Sequence, residues 1–246
     1  MRAKIRLMAS SSSRFVPRPK AVLFDLFHTL ARVPSPGLAG EASVPQILGV
    51  PAAEWQRLYY DDDVLGRCLG RVVDGVDAMR RVTHSIDPTV PEERILAAVE
   101  SRRRRFEAGL TGIEGGMLDA LDRLRAAGVR TALVSDAGAD DVESWQRSPL
   151  HERLDTVVFS YQLGVRKPDS RIYERALDTI DVRPGEAIFV GDGGSDEHRG
   201  ARAVGMKTVL VTRLAALWRP ETIAARRAHV DWVFEDVPAF VEALCL

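Results

Sequence analysis

Hydrophobic positions along this chain fall into two patterns. Short unbroken apolar runs stand at AVLF (21–24), TALVS (131–135), VVFS (157–160), AIFV (187–190), VLVT (209–212) and WVFE (232–235). Runs that are continuous rather than alternating suit parallel strands covered on both faces. Between them lie stripes at helical spacing: Met117, Leu118, Leu121 and Leu124, closed by Gly128, and Ile172, Ala176, Leu177 and Ile180 in a helix from about Asp169. A closing helix is expected after Pro238. Strands that alternate with helices build βαβ units, so the pattern predicts an α/β fold with a Rossmann-like parallel sheet.

From 38 to 111 the rhythm changes, and no strand pattern is found. Val44, Ile47 and Leu48, then Trp55, Leu58 and Tyr59, have helical spacing; Pro91-Glu92-Glu93 opens a longer helix with Ile95, Val99, Phe106 and Leu110 as its inward stripe. The expectation is an all-helical insertion at 38–111 between core segments 20–36 and 112–246. Arg102 to Arg105 spread around most of a helix circumference and are expected to face solvent, as is the Asp61 to Asp63 run. Residues 1–19 are basic, serine-rich and free of acids. They lack the apolar stretch of a secretory signal and read as a disordered tail, with Met8 an alternative start.

Composition narrows the class without naming a function. Of 246 residues, 46% are hydrophobic and 28% charged, as in ordinary soluble globular proteins. Lys plus Arg total 34 against 35 Asp plus Glu, so no bulk charge draws the chain to nucleic acid. No apolar run reaches the roughly 18 residues of a membrane span. Cys68 and Cys245 form neither a metal spacing nor a disulfide framework, and the expected location is cytoplasmic. Neither the oligomeric state nor the identity of a substrate is legible.

Chemistry enters at the strand ends. Asp25 follows the apolar run 21–24, where open α/β sheets place their ligands, although an Asp there can equally cap a loop or helix. Ser135 and Asp136 end the second run, Gly191 and Asp192 the fourth, with Asp196 shortly after, and Lys167 lies in a loop just before a helix. Carboxylates that converge from separate strands repel unless a cation sits among them, and hard cations such as Mg²⁺ take oxygen ligands. Asp25, Asp192 and Asp196 are the candidate ligands. A Ser hydroxyl, backbone N–H groups and Lys167 could hold an anion beside them.

In these motifs, and in the position of the helical insertion, the chain resembles the haloacid dehalogenase-like hydrolase superfamily, most of whose members are magnesium-dependent phosphatases. The first motif, D-x-D-x-T, stands here as Asp25-Leu26-Phe27-His28-Thr29; the second is LVS with Ser135; the third is Lys167 within RKPDSRIY; the fourth is Gly191, Asp192 and Asp196, followed by GARAVGM. The resemblance implies that Asp25 is a nucleophile forming an aspartyl-phosphate, that Thr29, Ser135 and Asp136 help to position the phosphate, and that Lys167 holds both nucleophile and phosphoryl oxygens. It implies Mg²⁺ on Asp25, Asp192 and the backbone carbonyl of Phe27, with Asp196 assisting. The insertion becomes a helical cap that selects a small phosphorylated metabolite. Arg67, Arg71 and Tyr60 are candidates to face that substrate, each with a plain surface residue as the alternative.

Phe27 departs from the pattern. In the phosphatases of that superfamily its position holds a second Asp, which protonates the leaving group and then activates water. His28 could replace that proton donor, but a solvent-facing turn histidine is the simpler reading. A non-acidic residue there also occurs in the superfamily's metal-independent dehalogenases, which lack the carboxylates supplied here by Asp192 and Asp196. A magnesium-dependent phosphatase is therefore the expected function. The alternatives are a slow or non-catalytic phospho-ligand-binding protein and a 2-haloacid dehalogenase.

Overall fold

Ala21–Phe24 (β1) pairs in parallel with Arg130–Ser135 (β2) on one side and Ala187–Gly191 (β4) on the other, as the central strand of a six-stranded sheet. The computed structural model describes residues 16–34, 42–62, 64–218 and 220–244. Thr156–Phe159 (β3), Lys207–Val211 (β5) and Trp232–Phe234 (β6) complete the parallel order β3-β2-β1-β4-β5-β6. All six apolar runs are thus strands, within a residue or two of their sequence boundaries.

Successive residues of a strand point to opposite faces, so a strand that is apolar throughout needs cover on both. Val22 and Phe24 pack with Leu121 and Leu124 of Gly115–Ala126 (α6) and Phe240 of Val237–Ala243 (α12). Ala21 and Leu23 pack with Ile172, Ala176 and Leu177 of Ser170–Ile180 (α8). Asp169 caps α8 by accepting from the Arg171 N–H, which satisfies one of the donors a helix start leaves over.

Among the described residues, 42–111 hold helices and no strand: Val44–Leu48 (α1), Ala52–Gln56 (α2), a π-helical turn at Arg57–Asp62, Val64–Arg67 (α3), Gly75–Ile86 (α4) and Glu92–Thr111 (α5). They enclose a separate apolar core in which Leu48, Trp55, Tyr59, Met79 and Ile95 are buried. No helix among the described residues is long and apolar enough to cross a membrane.

Several local expectations change. The tail lies outside the described residues as far as residue 15, but Val16 is buried in the sheet core and Arg18 donates to the Ala127 carbonyl, so the chain is packed before residue 20. Arg102 does not face solvent. It is 4% exposed, its guanidinium lies 4.1 Å from the Phe106 ring centre, and it pairs with Asp140 and Asp141 beyond β2. Arg67, 2% exposed, joins the same two carboxylates at 2.7 and 2.9 Å. Arg103 and Arg104 do pair along the α5 surface with Glu100. The Asp61–Asp63 side chains lie outside the described residues.

Candidate active site

The carboxyl ends of β1, β2 and β4 meet at one edge of the sheet and carry the polar residues with them. Asp25 donates its backbone N–H to the Val190 carbonyl at 2.9 Å, so it leaves the sheet still anchored to β4. The chain then turns tightly, with the Leu30 N–H on the Leu26 carbonyl and the His28 N–H on the Ala31 carbonyl. That turn returns the Thr29 hydroxyl to Asp25 Oδ2 at 2.9 Å.

Lys167 is 3% exposed, and its ammonium donates at 2.6 Å to Asp25 Oδ1 and at 2.6 Å to Glu197 Oε2. Its backbone N–H donates to Asp136 Oδ1 at 2.9 Å, which fixes the loop before α8 to the end of β2. Glu197 is fully buried at the start of Glu197–Ala203 (α9), and its other oxygen accepts from the Gly193 N–H at 2.7 Å. A Cβ on Gly191 would lie 2.1 Å from that oxygen, so only glycine at the end of β4 lets Glu197 reach in. Asp192 Oδ1 accepts from the Gly194 N–H, and Oδ2 from Arg226 at 2.9 Å.

Asp25, Asp192 and Glu197 each offer an oxygen within 4.8 Å of the others. Only Lys167 and Arg226 pair with these three carboxylates among the described residues, which leaves one excess negative charge when all are ionised. Burial, with Asp192 nearby, holds the Asp25 carboxyl above its usual range despite Lys167 and Thr29. Burial likewise pushes Glu197 up to about 8, against the pull of Lys167. Lys167 stays protonated: burial disfavours its charge, but the two carboxylates more than compensate. A largely buried all-oxygen donor set that carries its negative charge only at a cost fits a hard divalent cation such as Mg²⁺. Beside it the Ser135 hydroxyl, 1% exposed, has no hydrogen-bond partner among the described residues.

The family model of the haloacid dehalogenase-like hydrolases matches residues 19–205, which span every one of these groups except Arg226. The chain belongs to that family. A glyceraldehyde 3-phosphate phosphatase of Pyrococcus furiosus is 31% identical over 137 residues, a match covering 52% of this chain and 53% of the relative. The chain therefore spans about half the length of that relative. The enzyme of the same name from Methanopyrus kandleri is 30% identical over 206 residues, 79% of this chain and 84% of the relative. An (S)-2-haloacid dehalogenase of a Pseudomonas species is 26% identical over 198 residues, 79% of this chain and 85% of the relative. Among solved structures, the L-2-haloacid dehalogenase of Xanthobacter autotrophicus superposes with a TM-score of 0.61 at 20% identity, covering 92% of this chain and 98% of that one; at this identity the likeness shows the fold.

Within this member of the family the structure brings Asp25, Thr29, Ser135, Asp136, Lys167 and Asp192 to one edge. Asp196 departs from expectation. Its side chain is 70% exposed and pairs with Arg199, and the next residue, Glu197, faces Asp25 and Lys167 instead. A readable signal was available: Glu197, Gly200, Ala201 and Val204 form the inward stripe of α9, and Asp196 lies off it. Arg226, on Ile223–Arg227 (α11), carried no sequence signal.

Phe27 is half-buried, with its ring edge-on to Phe106 at 5.1 Å between centres. The two rings help to line a cavity of about 560 Å³ between the strand-end loops and the helical segment, together with Trp55, Tyr60 and Arg166. His28, expected to face solvent, is half-buried in left-handed backbone (φ 67°) and lines the same cavity, as do Arg67 and the 45% exposed Tyr60. Arg71 is exposed and not among the lining residues.

Proposed function

We propose that the chain is a phosphomonoester hydrolase of the cytoplasm that works through an aspartyl-phosphate on Asp25 and requires Mg²⁺. The observation that carries this reading is the cluster of Asp25, Asp192 and Glu197 within 4.8 Å. A nucleophile attacking carbon without a metal gains nothing from two further carboxylates beside it. A phosphoryl group, whose charge must be neutralised during transfer, needs the cation they would hold. Asp25, Asp192 and Glu197 would bind Mg²⁺, and the family resemblance would add the Phe27 carbonyl. When bound, the ion would supply Lewis-acid neutralisation of the phosphoryl oxygens.

The chain's own residues do the rest. Lys167 aims Asp25 and offsets part of what burial costs its charged form, since an ammonium at 2.6 Å favours the carboxylate over its acid. Thr29 fixes the second oxygen, leaving one defined line of approach to the phosphorus. The unpartnered Ser135 hydroxyl would donate to a phosphoryl oxygen, an interaction that would satisfy an otherwise costly buried group. In this reading residues 38–111 form the helical cap, the rest of the chain from residue 20 the core, and the substrate is a small phosphorylated metabolite in the cavity between them.

Phe27 cannot protonate a leaving group. General acid-base catalysis is typically worth about 10² to 10⁴-fold, or roughly 3 to 5 kcal/mol of barrier, while positioning and electrostatics carry the larger share in phosphoryl transfer. The loss slows such an enzyme and leaves its mechanism intact. The deciding experiment is phosphate release from a panel of phosphomonoesters with Mg²⁺ and with EDTA, using Asp25→Asn as control. Release that needs both Mg²⁺ and Asp25 supports the reading. Asp25-dependent halide release from 2-haloacids in EDTA, without phosphatase activity, would replace it.

A further inference from the structure

We infer that the preferred substrate is an aryl phosphate, a phosphomonoester whose oxygen leaves as a phenolate and whose ring carries a hydrogen-bond-accepting or anionic substituent. The inference rests on the phosphatase reading and deepens it.

Three features of the cavity converge on this class. Its walls are aromatic: Phe27 stands edge-on to Phe106 at 5.1 Å and Trp55 edge-on to Tyr60 at 5.8 Å, and the half-buried Phe27 and Phe106 with the 45% exposed Tyr60 keep some ring surface for a flat guest. A volume of about 560 Å³ holds a substituted ring with room to spare. Second, Trp55 is only 3% exposed, yet its indole N–H has no acceptor among the described residues. Once a shift of the ring opens it to the cavity, an acceptor on the occupant would remove the cost of that unmade hydrogen bond. Arg166, also in the wall, makes no ion pair among the described residues and favours a negative substituent.

Third, the chemistry matches the walls. The carboxylates lining the cavity are Asp136 and Asp141. Asp141 is buried, which would raise its pKa, but Arg102 and Arg67 hold it down to about 2, so it has no proton to give. Asp136 is tied to the Lys167 backbone. An alkoxide leaves badly without a proton, which these carboxylates do not give and for which His28 in the same wall is the other candidate source. A phenol ionises near a pH of about 10 and departs as the anion. In the first step an Asp25 oxygen bonds to phosphorus as the P–O(aryl) bond breaks, and the electron pair leaves on the aryl oxygen. In the second, water opens the acyl phosphate, giving inorganic phosphate and returning the Asp25 carboxylate.

Aryl esters are also intrinsically more reactive, so rate alone does not test recognition. Binding of two non-hydrolysable probes to the full chain with Mg²⁺, read by calorimetry, does: 4-carboxyphenylphosphonate and its saturated analogue 4-carboxycyclohexylphosphonate have equal charge and similar size. The expected result is about tenfold tighter binding of the aromatic probe. The preference should shrink toward unity in Phe106→Leu and in Trp55→Leu, each first checked for an unchanged circular dichroism spectrum; Phe106 is half-buried and serves where the more buried Trp55 variant fails to fold. Equal affinities, or no binding of either, overturn the inference. The phosphatase reading fails separately: if neither aryl nor alkyl phosphate is hydrolysed but the aromatic preference holds, the cavity binds this ligand class without turning it over.

Discussion

Glu197 accepts a 2.6 Å hydrogen bond from the same Lys167 ammonium that holds Asp25. One buried cation thus ties Asp25 to the start of α9, and the carboxylate that completes the acidic cluster is Glu197 rather than its neighbour Asp196. Removing the charge from each separates their roles. Glu197→Gln is expected to weaken Mg²⁺ binding at least tenfold and to lower Asp25-dependent turnover, whereas Asp196→Asn, at a 70% exposed site, should change neither by more than about twofold. Calorimetric titration of both variants checks this, and equal effects would remove Glu197 from the site.

Arg226 competes for the same cluster from the opposite side, with hydrogen bonds to the Asp192 carbonyl at 2.5 Å and to Oδ2 at 2.9 Å. A guanidinium on a metal-binding carboxylate occupies one of its lone pairs and repels an incoming cation. Arg226→Gln should therefore raise Mg²⁺ affinity, by roughly tenfold for one partly buried charge. An affinity that falls would mean that Arg226 positions Asp192 more than it opposes the metal.

Much of this architecture is legible in the sequence because apolar runs and strand-end polar groups are local signals. The six strands, the α8 stripe ending at Ile180 and the convergence of Asp25, Ser135, Lys167 and Asp192 all follow from short windows read alone. What escapes is set by contacts between distant segments. Four arginines in a row read as a solvated face, since nothing near Arg102 reveals that Asp140 and Asp141 lie across the fold. Arg226 reaches Asp192 from 34 positions away. Motif spacing points to Asp196, but the turn through left-handed Ser195 and Asp196 (φ 52° and 51°) hands the inward position to the next residue, Glu197.

The buried ionic cluster should control how the helical segment holds to the core. Asp141 accepts from both Arg67 and Arg102, and although its burial favours the acid, the two guanidiniums hold its pKa at about 2. Between that value and the ordinary 3.8 the unfolded chain binds more protons than the folded one, so stability rises with pH through this window and is lost as pH falls through it. About 2 kcal/mol is at stake at 1.36 kcal/mol per unit. Asp141→Asn leaves two buried guanidiniums short of charge and should cost about 3 to 5 kcal/mol at neutral pH. Denaturant unfolding of wild type and variant at pH 7, and of wild type down to pH 2, reads both effects. A neutral-pH loss below about 1 kcal/mol would show the cluster to be solvated.

The remaining prediction concerns Phe27, where this chain departs from the motif it otherwise follows. Wild type should hydrolyse p-nitrophenyl phosphate far better than an alkyl phosphate, because the first needs no proton on its leaving oxygen. No carboxylate at position 27 activates water for the second step, so aspartyl-phosphate should accumulate and appear as a burst of nitrophenol. Phe27→Asp supplies a carboxyl at that position, and a recovered acid-base role is worth up to about 10² to 10⁴-fold. The gain should fall mainly on alkyl substrates, and the burst should disappear as the second step accelerates. The same change removes the ring that stands 5.1 Å from Phe106 and so opens the aromatic wall. Binding of aryl ligands should weaken even as alkyl turnover rises. Thermal unfolding and Mg²⁺ titration must first show a folded, metal-competent variant. If that protein turns over alkyl phosphates no faster than wild type, the missing proton donor is not what limits this site.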